Sequence, residues 1–238
     1  MRPLKPEKEI YRSAILKKLQ MVLASLLKNY FQNYKLIERM SIMLSPYAGR
    51  MVAYWDAITQ QLIDEHPLTE DEIVEIVLDS WDSIMETKIG QKLQIGVDVF
   101  PSPQIMGNYL HMLIASSLAE RYPREWRGEI DKSDKDVVYM PDDTYSIEIK
   151  TSSQNSIYGN RSYGQENSDN SSGKQKYGFY LAINFEKFTP TNNSPQIKRI
   201  KFGWLDHSDW KAQAAATGQN STLDKDAWNH KLKLLYEA

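Results

Sequence analysis

Asp136, Glu148 and Lys150 are the residues of this sequence whose types and spacing could do chemistry together. Glu148 and Lys150 are two apart in the run Ser146–Ser152, which alternates with Ile147 and Ile149 and so reads as a strand with both charged groups on one face. Lys135–Met140 alternates in the same way, and Pro141, Asp142, Asp143 and Thr144 between the two runs are turn residues, so the pair forms a hairpin. A three-residue turn makes pairing partners sum to 284 or 286 and sets Asp136 opposite Glu148 or Lys150. The two carboxylates and the ammonium then share a face, with Val137, Tyr139, Ile147 and Ile149 on the other. A two-residue turn would need a bulge to do the same. Two carboxylates held close repel, and a hard divalent cation with oxygen ligands, Mg²⁺ first, is the simplest remedy. Such an ion polarises a phosphoryl oxygen and lowers the pKa of a water beside it. The backbone carbonyl of Ile149 could be a further ligand, while Lys150 can orient or help deprotonate the water and offset transition-state charge. This is the chemistry of metal-assisted phosphodiester hydrolysis.

Asp136 followed by Glu148-Ile149-Lys150, on adjacent strands after a helix, resembles the PD-(D/E)XK nuclease superfamily. With Lys135–Tyr139, Glu148–Ser153 and Ile157–Tyr163 taken together, the sequence is similar to type II restriction endonucleases over roughly residues 104–205. The resemblance implies an αβββαβ core, Mg²⁺-dependent and sequence-specific cleavage of double-stranded DNA, a homodimer on a short palindromic site, and a DNA methyltransferase as genetic partner. The literal Pro141-Asp142 lies at the hairpin tip, away from Glu148, so Asp136 is preferred as first ligand. Asp134 shares its parity but precedes the strand. In several families of this superfamily an acid on the helix before the core strands lends another metal contact. Glu120 is the candidate here, weighed against a solvent-facing helical glutamate, and Glu129 is a weaker one.

Directly after Lys150 comes a run rich in donors and acceptors, Asn155, Asn160, Arg161, Ser162, Tyr163 and Gln165. Arg can contact guanine and Asn or Gln adenine, and all can hold phosphates. Lys174 and Lys176 suit phosphate contact. A flexible polar loop would look the same, and the nuclease motif is what favours DNA.

The elements that must position these groups follow from periodicity. Apolar residues recur at helical spacing from Ile10 to Leu27, and Thr69 with Glu72 forms a capping box ahead of Ile73, Val74, Val77 and Trp81. A further helix runs from about Gln104 to Arg121, and Pro123 stops it. The period then changes to two, with strands at Tyr177–Phe185 and Ile197–Leu205, and a closing helix from about Asp224 anchored by Leu232 and Leu235. The order is α+β, a mixed central sheet preceded by a helical region. We expect residues 1–103 to form a helical dimerisation or DNA-flanking region and residues 104–238 the nuclease core.

Composition excludes other chemistries. The 238 residues contain no cysteine, which removes thiol nucleophiles, disulfides and Cys-ligated metals. His66, His111, His207 and His230 lack paired ligand spacing, and Ser152 and Ser153 have no nearby histidine for a triad. The net charge of −2 hides a pattern: residues 51–86 carry ten acids and no Lys or Arg, while residues 150–211 carry nine bases against five acids. A basic section of that kind can hold a polyanion. The apolar stretch 14–27, broken by Lys17 and Lys18, is too short to span a bilayer, and a cytoplasmic protein is expected. The other readings are a repair or recombination nuclease of the same superfamily, and a helical interaction protein whose hairpin charges are coincidental.

Overall fold

A computed structural model describes residues 45–164, 174–214 and 218–238. The stripe of residues 10–27 lies outside them, as does Gln165. Contacts divide the chain into two compact units, Met1–Gly49 and Arg50–Ala238. The elements that follow belong to the second, so the helices at 55–86 share a unit with the sheet.

Helix α1 spans Trp55–Asp64 and α2 spans Glu70–Glu86. The capping box is formed as expected: Thr69 accepts the Glu72 N–H, and Glu72 accepts the Thr69 N–H at 2.9 Å. The buried face of α2 carries Ile73, Ile76, Val77, Trp81 and Ile84. A two-stranded ribbon, β1 (Lys88–Ile89) and β2 (Leu93–Gln94), leads to α3 (Pro103–Arg121), which starts on a proline where no backbone donor is missed. Among the described residues no helix is long and apolar enough to cross a membrane.

Nine strands follow α3 among the described residues: β3 (Trp126–Gly128), β4 (Val137–Tyr139), β5 (Ile147–Ser152), β6 (Tyr158–Asn160), β7 (Gly178–Phe185), β8 (Ile197–Leu205), β9 (Trp210–Ala212), β10 (Asn220–Leu223) and β11 (Lys233–Glu237). The central mixed sheet has the order β11-β8-β7-β5-β4-β3, with β5 and β7 parallel and the other neighbours antiparallel. Strands β6, β10 and β9 make a second, three-stranded sheet.

One expectation is corrected. The closing helix is only a short π-helical turn at Ala227–Lys231, after which the chain runs as β11 along β8. The free edge of β8 offers a ladder of backbone bonds that a short isolated helix cannot match. Between β5 and β7 the described residues of the crossover form β6 and a 3₁₀ turn at Arg161–Gly164.

One face of the sheet, with Ile147, Ile149, Phe179, Leu181, Ile183, Phe202 and Trp204, is buried with the helices' apolar faces. The opposite face has its own core of Ile157, Tyr163, Tyr180, Ala182, Leu205, Trp210, Ala227 and Leu232. His66 sits in the first, packed against Trp126, Tyr145, Phe179 and Phe202. Its Nδ1 accepts the Leu68 N–H at 3.1 Å, which leaves Nε2 as the donor to the Tyr145 carbonyl, also at 3.1 Å. Burial holds its pKa at about 4, against 6.5 in the open chain. The unfolded chain therefore takes up this proton first. The stabilisation is complete above about pH 6.5 and is lost as pH falls to about 4, roughly 3 kcal/mol in all. Thermal unfolding between about pH 7 and pH 5 should show the loss, and His66→Gln should flatten it.

Candidate active site

The hairpin register sets the site. Val137 pairs with Ile147, a sum of 284, although the connection is a longer loop with a 3₁₀ turn at Asp143–Tyr145 rather than a three-residue turn. In that register Asp136 stands opposite Glu148, one residue beyond the end of β4. The Ile149 N–H, which a longer β4 would have bonded through its backbone, instead donates to Asp136 Oδ2 at 2.7 Å. Asp142 accepts the Thr144 N–H at the turn, and Asp134 is bound by Arg127 at 2.6 Å. Both are engaged in local structure, Asp142 by the turn chemistry expected of it.

Glu148 is 2% exposed and Lys150 lies beside it, with Nζ 2.5 Å from Oε1. The same oxygen accepts the Tyr163 hydroxyl at 2.7 Å. The other oxygen, Oε2, faces the Lys174 ammonium at 2.9 Å, which also stands 3.0 Å from Asp136 Oδ1 and 3.5 Å from Glu129 Oε2. Burial alone would raise the Glu148 pKa; the ammoniums of Lys150 and Lys174 outweigh it and hold the carboxyl at about 2. Burial likewise works against the Lys174 charge, and Glu148 and Asp136 overcome it and raise its pKa.

Helix α3 closes one side. A Cβ on Gly107 would lie 2.4 Å from Thr151 Oγ1, so the absence of a side chain there lets the helix lie on β5. One turn on, His111 Nδ1 reaches 3.6 Å from Asp136 Oδ2. Burial lowers the His111 pKa despite the pull of Asp136. A cleft of about 430 Å³ opens here, lined by His111, Met112, Ala115, Ser116, Ala119, Gly128, Glu129 and Asp136. Glu120 is exposed and is not part of that lining. The helix brings His111 to the carboxylates instead, because residues 107, 111 and 115 form its sheet-facing stripe and 120 does not.

The polar run after β5 is dispersed. Asn155 is exposed, and its Oδ1 accepts from Lys198 at 3.3 Å. Asn160 ends β6, and Ser162 lends its carbonyl to Lys176. Arg161 donates from Nη1 to the Gly218 carbonyl at 2.9 Å. Tyr163 differs most from a DNA-facing group: it is buried edge-on to Trp210, and burial pushes its hydroxyl pKa up so that it stays a donor. Two glycines seat it. A Cβ on Gly159 would meet its ring at 2.9 Å, and one on Gly164 would lie 2.1 Å from the Ala212 backbone nitrogen. Tyr163→Phe should retain the fold and duplex binding but lower the cleavage rate about 10–100-fold, the range for groups that orient a ligand from behind. Single-turnover kinetics measure it, and an unchanged rate would leave Tyr163 a packing residue.

Sequence reading missed two members of this cluster. His111 has a signal, a polar residue one turn after a helical glycine. Lys174 has none, since only the fold brings a residue 24 positions after Lys150 back to Glu148.

Asp136 and Glu148 share one cation, and an ammonium within reach completes the group. Among the described residues no three His, Asp or Glu side chains converge as a ready-made metal cage. Mg²⁺ does not need one: it is usually held by one or two carboxylates, with waters and substrate phosphates completing its shell. The hard oxygen donors of Asp136 and Glu148, already converged on one cation, fit such an ion.

Comparison with known proteins points the same way. No solved structure matches the chain. A type II restriction enzyme, ScaI from Streptomyces caespitosus, is 45% identical over 194 residues, covering 81% of this chain and 85% of the relative. The sequence model of the ScaI restriction endonuclease family matches residues 45–236, which include every residue of the cluster around Glu148. From Ser45 to Tyr236, then, the chain is built on the pattern of that family, and it belongs to the ScaI restriction endonuclease family of type II restriction enzymes.

Proposed function

We propose that this restriction endonuclease hydrolyses phosphodiester bonds of double-stranded DNA with Mg²⁺ held by Asp136 and Glu148. The convergence of both carboxylates on a single cation, the Lys174 ammonium, is the observation that carries the reading. In an extended residue the N–H and C=O leave the strand on the same side, so the Ile149 carbonyl opens toward Asp136 and suits a third oxygen ligand. When bound, the ion would polarise the scissile phosphoryl group and acidify the attacking water. Lys150 is the group to orient that water and offset charge on the phosphate, and Glu148 Oε1 holds its ammonium in place. Tyr163 fixes Glu148 from the apolar side, and His111 lines the approach beside Asp136.

Asn155, Asn160, Arg161, Ser162, Gln165 and Lys176 are proposed to approach the DNA; of these, Gln165 lies outside the described residues. A palindromic site presents two equivalent phosphates, and one active site per chain suits a two-fold dimer, with residues 1–103 supplying much of the interface. A methyltransferase acting on the same sequence is the expected genetic partner. Incubating plasmid DNA with the protein and Mg²⁺, then sequencing the ends, should give discrete fragments sharing one short sequence. Uncut DNA, or ends with no common sequence, would overturn the reading.

A further inference from the structure

Lys174 stands where a divalent cation would. Its ammonium touches Glu148 Oε2 at 2.9 Å and Asp136 Oδ1 at 3.0 Å, with Glu129 Oε2 at 3.5 Å on the outer side. The other Glu148 oxygen already belongs to Lys150 and Tyr163. Oε2 is fully buried, and the Lys174 ammonium is the cation that stands against it. An ammonium and a hard divalent ion seek the same carboxylate oxygens at short range. They cannot both occupy the space between Oε2 and Oδ1, because like charges that close repel strongly in a partly desolvated site. Two unpaired carboxylates would be costly there, with Glu148 only 2% exposed, so a metal-free site needs a cation of its own.

We infer that Lys174 is the resident counter-cation of the metal-free site, and that a divalent ion binds by displacing it. The inference rests on Asp136 and Glu148 being the metal ligands. It also separates the two lysines: Lys150 stays on Oε1 when the ion enters, whereas Lys174 must leave. Among the described residues the Lys174 ammonium contacts the carboxylates of Asp136, Glu148 and Glu129, so leaving breaks its contacts with the two oxygens the ion would take and the outer one with Glu129.

The test is Mn²⁺ titration of the full DNA-free chain, with bound ion read by electron paramagnetic resonance. Mn²⁺ shares the oxygen-donor preference of Mg²⁺. Lys174→Met should bind Mn²⁺ about 5–150-fold more tightly than wild type, the usual range for coupling between competing ligands. Lys174→Arg, which keeps a cation, should stay near wild type. Adding Asp136→Asn to Lys174→Met should remove the gain. Equal or weaker binding by Lys174→Met, while Asp136→Asn alone abolishes binding, would overturn the displacement and leave the metal assignment standing. If Asp136→Asn changes binding in neither background, the ion sits elsewhere, and both the assignment and the inference fail.

Discussion

Asp136→Asn is expected to abolish cleavage while leaving duplex binding intact. The substitution keeps an oxygen that can accept the Ile149 N–H and removes only the charge, so the β4–β5 junction survives. What it loses is one of the two anionic ligands proposed for the ion. A metal ion contributes several kcal/mol of transition-state stabilisation, and each 1.4 kcal/mol is a factor of ten, so the rate should fall about 10³-fold or more. Binding should hold or strengthen, because a negative charge near the phosphates is gone. Glu148→Gln should be as inactive, but it is the less clean probe. Its carboxyl pKa is held at about 2 by two ammoniums, so its ion pairs contribute stability that is complete above about pH 4.5 and lost as pH falls toward 2. Removing that charge leaves Lys150 and Lys174 facing each other, and the protein should melt earlier. Cleavage by Asp136→Asn at the wild-type rate, with Asp142→Asn inactive, would move the first ligand to the hairpin turn.

The second large effect is Lys150→Met. The side chain is mostly buried, 15% exposed, and its ammonium is fixed by Glu148 at 2.5 Å and lies 4.7 Å from the centre of the Tyr163 ring. Methionine preserves the stem and deletes the charge and the donors. If Lys150 handles the proton of the attacking water, single-turnover cleavage should drop about 10²–10⁴-fold. Mn²⁺ affinity of the free protein should change far less than with Asp136→Asn, since Lys150 is not among the proposed ligands. A rate within tenfold of wild type would assign the proton to another group. His111, 3.6 Å from Asp136, would then be the next residue to replace.

Family membership retires two readings that residue patterns left open, the repair nuclease and the helical interaction protein. Charge patterning alone could not separate them, because a basic section and a charged hairpin occur in many folds.

Local rules determined a good deal of this protein. The capping box at Thr69, the proline start of α3, the strands at 178–185 and 197–205, and the common parity of Glu148 and Lys150 follow from propensity and period, which act over a few residues. The turn role of Asp142 was legible in the same way, since a turn aspartate is occupied by its own backbone. Tertiary structure decided the rest. Whether residues 233–237 became helix or strand depended on the open edge of β8, which no window around them contains. Tyr163 reads as a polar loop residue until two glycines and Trp210 bury it against Glu148. Lys174 reads as a phosphate contact until the parallel pairing of β5 with β7 returns the chain to the carboxylates. Electrostatic partners are chosen by distance in space, and the periodicity of a strand or helix carries no record of which distant charge will arrive beside it.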